Sequence, residues 1–327
     1  MEVRHVSAGG VERIQVDDVW ERLARRGGFT WIDVADCDEE VAAFLRDRFD
    51  LHPSSIQACR ERSHLPTFHG YRDSWFVVVH RPLIRRAGHV HLLQLEFFVR
   101  EDVLITVHGP NNPDVDETEV FRDTVELRRR LDAGRVTPES PSALAHELLA
   151  SLARSYRAEP GDIARRVAEL EQDVMSADLR SPEGLLDRMF LLRHELMTVR
   201  TMAGAVHEVF GRMAVTQGTP QSDDRVWIND VADRFARLRV VADGEREFLA
   251  GVIDYYQTKT ATKMTVAMER LAVLAAVTLP VTALASIYGM NVIVNDRTHW
   301  VQLTIAIAVM LTISGLLLRW TKRQGWW

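Results

Sequence analysis

Between residues 28 and 108 apolar positions recur with a period of two in some stretches and near 3.6 in others, the pattern of a mixed α/β region. Phe29–Val34, Trp75–His80, His89–Val99 and Val103–His108 read as strands, with turn residues between the last three. Glu39–Phe49 has helical spacing, and His52-Pro53 opens a further short helix. In the run 89–99, Leu93, Leu95, Phe97 and Val99 share one face. Gln94 and Glu96 stand on the other, which is therefore expected to meet solvent. The string Gly109-Pro110-Asn111-Asn112-Pro113 ends the sheet region, and a helix over about 117–132 follows.

Beyond residue 133 the period is helical. Residues 134–142 (GRVTPESPS) form a linker, after which Ala143–Met175 and Pro182–Met213 are predicted as two long helices. Ser181 supplies the N-cap of the second, with Pro182 in its first turn. A polar loop over 216–224 precedes the longest element. From Arg225 onward no proline intervenes until Pro280, and Gly244 and Gly251 are the weak points. A helix over 225–291 would hold about 67 residues and reach roughly 100 Å. That exceeds any ordinary globular helix, so it is expected to be a stalk steadied by neighbours, most simply further copies of itself.

Two stretches lack charged side chains altogether, 271–294 and 300–318. Each is long enough to cross the roughly 30 Å hydrocarbon core of a bilayer. Two such stretches joined by one short loop at the end of the chain argue against buried core helices. Trp300 and Trp320 bracket the second stretch, as interfacial aromatics do. The tail carries Arg319, Lys322 and Arg323 before Trp326 and Trp327, whereas the loop 295–299 offers Asp296, Arg297 and His299. The positive-inside tendency then places the tail in the cytoplasm, the loop outside, and the first 270 residues back in the cytoplasm. Pro280 frees the carbonyl of Ala276, which a membrane helix satisfies against a pore or a neighbour. The N-terminus has no apolar core of a signal peptide.

These readings divide the chain into a cytoplasmic α/β domain (1–133), its helical pair (134–224), a stalk (225–270), a first transmembrane helix (271–294), an outer loop (295–299), a second transmembrane helix (300–318) and a basic cytoplasmic tail (319–327). Mean hydropathy is −0.11, a value that averages a polar body with an apolar end. The net charge is −6, and because residues from 271 onward hold one acid and four bases, the acidic excess lies wholly in 1–270. An acidic body argues against nucleic acid as a partner and suits cations. The two cysteines, Cys37 and Cys59, lack metal-ligand spacing. They are expected to pack as small apolar groups in a reducing compartment.

Tyr288-Gly289-Met290-Asn291 closes the first apolar stretch. Residues 271–291, ending LPVTALASIYGMN, closely resemble the signature of the CorA family of magnesium transporters. The string FTWIDV followed by a helix and LHP, the long stalk, the short outer loop and the basic, Trp-ended tail match that family too. The resemblance implies a funnel-shaped homopentamer in the cell membrane, with both termini cytoplasmic and the first membrane helix lining a central pore. Gly289, Met290 and Asn291 would ring its outer mouth. Mg²⁺ surrenders its water reluctantly, so a ring of Asn291 amide oxygens suits the hydrated ion, and it holds that ion without a fixed negative charge. Further inward the family's lining positions fall on Ser286, Thr282, Leu279, Leu271 and Thr265. The hydroxyls would contact ion-bound water, and the leucine rings would make apolar constrictions that close by dewetting. The alternative for these side chains, above all Leu271, is helix–helix packing.

Several positions depart from the family. Leu279 stands where methionine is frequent, Ser286 where glycine is, and Thr265 where asparagine is. After the mouth motif comes VIVNDRTH in place of an acidic MPEL-like segment, so zinc, moved by related transporters, stands beside Mg²⁺, Co²⁺ and Ni²⁺ as cargo. In the resemblance a cytoplasmic Mg²⁺ between subunits holds the pore closed, and its stalk ligand falls on Asp230 in WINDVADRF. The partner acids that follow His-Pro in the family are absent here: His52-Pro53 is followed by Ser54, Ser55, Ile56, Gln57 and Ala58. Asp230 is thus either a regulatory ligand or a solvated stalk acid, with Glu61 nearby in sequence. No cofactor is implied beyond Mg²⁺ as cargo and regulator, and the partners are further copies of the chain, lipid and divalent ions.

Weaker chemistry lies elsewhere. His89 and His91 point the same way on a strand and with His80 are a candidate metal set, the alternative being a polar sheet face. Phosphate-loop, dinucleotide, HExxH and nucleophile-elbow motifs are all lacking, and no enzyme is expected. A membrane-anchored sensor or scaffold, with the hairpin as a mere anchor, is the rival from another class.

Overall fold

A computed structural model describes residues 1–24, 27–84, 90–176, 182–215, 224–291 and 300–323. The chain divides into two compact units, Met1–Ala250 and Gly251–Trp327.

The first unit is built on seven strands: β1 (Glu2–Ser7), β2 (Gly10–Ile14), β3 (Phe29–Val34), β4 (Thr67–Gly70), β5 (Ser74–Ile84), β6 (Val90–Arg100) and β7 (Val103–His108). They lie in the order β2-β1-β3-β7-β6-β5-β4, antiparallel except for the central β3–β7 pair. A parallel pair needs a crossover. Here it is supplied by everything between residues 34 and 103. Pro82 sits in β5 where only β6 pairs with it, β4 having ended at Val78, so its missing N–H breaks no ladder. The hairpin β1–β2 turns over Ala8-Gly9 and brings β1 onto β3. At Gly28, where the chain enters β3 with φ +148°, a Cβ would lie 2.2 Å from the Val6 carbonyl, so only glycine fits.

Both faces of this sheet are covered. On one, Ile32, Val34, Phe76, Val78, Phe98, Ile105 and Val107 pack against α1 (Val19–Ala24), α2 (Glu39–Phe49) and α3 (Pro53–Arg60). On the other, Trp31, Val77, Phe97 and Leu104 meet α5 (Arg122–Asp132), α6 (Pro141–Ser176) and α7 (Pro182–Val215). Asp38 caps α2 by accepting from the Val41 N–H at 2.8 Å, and His52 caps α3. The expected helix over 117–132 is two, α4 (Glu117–Val120) and α5, separated at Phe121.

The expectation that Gln94 and Glu96 face solvent is wrong. They share the Phe76–Phe98 face, which α3 and the segment after it lie across, and both are buried. The Gln94 amide donates to the carbonyls of Ala58 and Glu61 and to Glu96, and accepts from the Ser63 N–H at 2.7 Å. Burial pushes the Glu96 carboxyl well above its ordinary range. Gly109 completes the site, since a Cβ there would lie 2.7 Å from that of Gln94.

α8 (Asp224–Asn291) is 68 residues long and contains Pro280; α9 (Trp300–Arg323) follows. In the first unit α8 buries Ile228, Val231, Phe235, Leu238, Ala242 and Leu249, a stripe at helical spacing. Phe235 meets Tyr156 of α6 edge-on, and Trp227 meets Phe210 of α7. α6 and α7 are clamped by Arg166, whose guanidinium grips the fully buried Glu195 with two bonds of 2.6 and 3.1 Å. Ser181 and the loop 216–223 lie outside the described residues.

Candidate ion pathway on the long helix

The second unit consists of the remainder of α8 and α9. Both are long and apolar enough to cross a membrane, and almost none of either apolar window is buried within the chain. That separates them from core helices, whose apolar surface would be covered. On α8 the half-buried positions are Val273, Ala276, Val277, Pro280, Val281 and Leu284, and on α9 Ala306, Met310, Ile313, Ser314 and Leu317. Among the described residues of this unit, a stripe of that period on each helix is the side turned toward the other.

The predicted lining positions lie elsewhere. Thr265, Leu271, Leu279, Thr282, Ser286 and Gly289 are all exposed. At 3.6 residues per turn they fall within about a third of the helix circumference, opposite the half-buried stripe. Thr265 donates to the Ala261 carbonyl at 3.0 Å and Thr282 to the Thr278 carbonyl at 2.8 Å. With its proton engaged inside the helix, each hydroxyl presents oxygen lone pairs outward, as an acceptor for water or for the hydrogens of a hydrated ion. Asn291 is the last residue of α8. The side chains of Met290 and Asn291 and the loop residues Asp296, Arg297 and His299 lie outside the described residues, as do Trp326 and Trp327.

Asp230 occupies the first unit, on the half-exposed flank of α8. Its Oδ2 accepts from His146 Nε2 of α6 at 2.8 Å and from Arg234 Nε at 2.6 Å. Partial burial pushes its carboxyl upward, but the bonds from Arg234 and His146 outweigh this and hold it below the ordinary carboxylate range. Arg234, four residues on, was legible as a helical ion pair. His146 comes from 84 residues away and carried no signal. On α3, Ser54 and Gln57 are exposed and Ala58 half-buried, while Glu61 accepts from the Gln57 amide at 2.5 Å.

The histidine set does not assemble. His80 pairs with Gln94 and His91 with Leu83, so the two point to opposite faces of the sheet, and His89 is outside the described residues. His80 bonds the Ser63 carbonyl at 2.9 Å, and burial lowers its pKa to about 4, leaving it neutral. His91 meets Asn112. Among the described residues no three His, Cys, Asp or Glu side chains converge on a metal position.

An α/β domain continued by one very long helix into an apolar two-helix hairpin defines a membrane protein with a soluble N-terminal domain. Residues 26–323 match the family described as CorA-like Mg²⁺ transporter protein, and the chain belongs to that family of divalent metal ion transporters. It is 21% identical over 333 residues to the cobalt/magnesium transport protein CorA of Thermotoga maritima, covering 100% of this chain and 92% of that one. It is 27% identical over 168 residues, half of each chain, to the zinc transport protein ZntB of Yersinia pseudotuberculosis. The complete structure of the CorA magnesium transporter from Methanocaldococcus jannaschii superposes with a TM-score of 0.81 at 17% identity. It covers 100% of this chain and 99% of that one, and the likeness establishes the fold.

Proposed function

We propose that the protein is a homopentameric, electrochemically driven pore for divalent cations, chiefly Mg²⁺, with Co²⁺ and Ni²⁺ as alternates. It sits in the cell membrane with both termini cytoplasmic. The observation that carries this reading is the exposed stripe on α8. Thr265, Leu271, Leu279, Thr282 and Ser286 face away from the one helix that accompanies them, so their partners come from other copies of the chain. Around an axis that stripe supplies hydroxyl rings at Thr265, Thr282 and Ser286 and apolar closures at Leu271 and Leu279. Gly289, Met290 and Asn291 form the outer mouth, where the amide oxygens of Asn291 accept from the waters of the ion.

Cytoplasmic control by Mg²⁺ is weaker in this reading than in the family pattern. Asp230 already holds Arg234 and His146, and Gln57 and Ala58 stand where the resemblance places partner acids. A carboxylate engaged by a guanidinium competes poorly for a reluctantly dehydrating ion.

Zinc is the second reading, favoured by the likeness to ZntB. Purified protein in liposomes loaded with Mg²⁺- or Zn²⁺-sensitive dye decides between them. Mg²⁺ influx exceeding Zn²⁺ influx is the expected result, the reverse selects zinc, and no flux of either supports an anchored sensor instead.

A further inference from the structure

Between α5 and α6, which pack side by side, opens a cleft of about 680 Å³. Arg122, Glu126 and Arg129 line it from α5 at successive helical turns, and Ser151, Arg154 and Ser155 line it from α6. The other arginines of α5 find carboxylates. Arg122 meets Glu119 at 3.4 Å, Arg130 meets Glu147 at 3.0 Å, and Arg128 meets Glu2. Arg129 and Arg154 meet none among the described residues, although Glu126 stands one turn from Arg129 on the same row. Asp123, the second acid of the wall, is buried and spent. One of its oxygens takes Arg81 Nε at 2.9 Å and the other the Ser155 hydroxyl at 2.9 Å. Ser151 adds an independent observation. It is 8% exposed, yet its hydroxyl bonds no group among the described residues. Ser176 and Thr198 bond the carbonyl one turn back, and Ser151 does not bond that of Glu147. A buried hydroxyl without a partner costs stability, and on the wall of a cleft it is a donor left for whatever enters.

We propose that this cleft binds an organic diphosphate of about the size of a nucleoside diphosphate, its phosphates held by Arg129, Arg154 and Ser151. Guanidinium forks match phosphate oxygens in pairs, and the hydroxyl supplies a further donor. Two unpaired guanidiniums, one from each helix, suit more than one anionic group. The volume falls within the roughly 300–1,000 Å³ of small-molecule sites and exceeds what two phosphates fill. Val125 and the arginine stems give the organic part an apolar wall. Asp123 does not oppose the anion, because the buried Arg81 cancels its charge. Glu126 does oppose it, being exposed and without a cation among the described residues. The site lies wholly within residues 118–155, apart from the proposed ion pathway, and binding there requires no transport.

The test is equilibrium dialysis of the full-length detergent-solubilised protein against radiolabelled adenosine diphosphate, with unlabelled pyrophosphate as competitor. Saturable binding of one nucleotide per chain, displaced by pyrophosphate at higher concentration, is the expected result. Arg129→Gln and Arg154→Gln should each weaken binding about tenfold or more, and Ser151→Ala about three- to tenfold. Glu126→Gln should tighten it about twofold or more, an effect that a merely structural glutamate would not produce. Arg129, Arg154 and Glu126 are exposed and make no described contact that holds the fold, so their variants should keep the unfolding midpoint of the native protein. No saturable binding up to millimolar nucleotide, or undiminished binding in the double variant Arg129→Gln, Arg154→Gln, would overturn the site. Pyrophosphate binding as tightly as the nucleotide would overturn the organic part of the ligand.

Discussion

In the sheet domain Gln94, Thr106 and His108 are buried, and each meets a partner supplied by the same chain. In the second unit the hydroxyls of Thr265 and Thr282 are exposed and bond carbonyls of their own helix, while Leu271 and Leu279 are left 65% and 66% exposed. The second leaves a stripe of α8 uncovered by the described residues of its own chain. In the proposed function, that uncovered stripe is where an ion and further copies of the chain meet.

The largest effect should come from the mouth of the proposed pore. Asn291→Ala is expected to reduce Mg²⁺ flux in liposomes to background while the oligomer's native mass stays unchanged, because it deletes the amide oxygens proposed to receive the hydrated ion. Undiminished flux with an intact oligomer would remove Asn291 from the pathway. The sheet domain answers to a different rule, as a substitution there should cost stability and leave ion choice alone. Arg166→Ala strips the fully buried Glu195 of its bidentate partner, which should destabilise the protein by about 3 kcal/mol. The midpoint of denaturant unfolding in detergent measures it, and a loss under about 1 kcal/mol would mean that Glu195 finds solvent instead.

The strands β3 and β7, the pair of long helices, the stalk and both apolar spans were legible from period and length alone. The hairpin β1–β2 was not assigned, although Gly9-Gly10 between two short alternating runs was a signal for it. The polar face of β6 was misjudged because alternation cannot tell a solvated face from one roofed by a later helix. Gln94 and Glu96 are buried only because α3 and the segment after it return across them. The exposed stripe proposed to line the pore follows the spacing of the family's positions, but its freedom from α9 is a matter of packing. The engagement of Asp230 was half legible, through Arg234 but not His146, since a contact between helices 84 residues apart leaves no local pattern.

A smaller effect, confined to the sheet domain, concerns pH. Burial raises the pKa of the Glu96 carboxyl in the fold, whereas in the unfolded chain it titrates in the ordinary range, so the folded state holds its proton to higher pH. Its contribution is present in full below the unfolded carboxyl pKa of about 4.3 and is lost as pH climbs toward the raised folded value. Glu96→Gln keeps the shape and the bond to Gln94 without the proton. The variant should therefore gain on the native protein as pH rises from 5 to 8, by up to about 1.4 kcal/mol per pH unit. Parallel unfolding curves across that range would show that Glu96 is ionised in the fold.

The smallest expected effect is at Asp230, where the two regions are contrasted within one helix. An ion shifts a closed–open equilibrium only through its different affinity for the two states. Asp230 is engaged by Arg234 and His146 of its own chain, and these contacts need no second subunit. Its side chain is 35% exposed, so solvent screens the pair, and Asp230→Ala should cost below about 1 kcal/mol of stability. If the carboxylate is occupied in this way, protease protection of α8, titrated with Mg²⁺, should be nearly the same in the native protein and in Asp230→Ala. Ala58→Asp, which adds a carboxylate to α3, should make protection more dependent on Mg²⁺. A native protein fully protected at low Mg²⁺, with protection abolished by Asp230→Ala, would mean that the ion displaces Arg234 and His146 and that Asp230 controls closure after all.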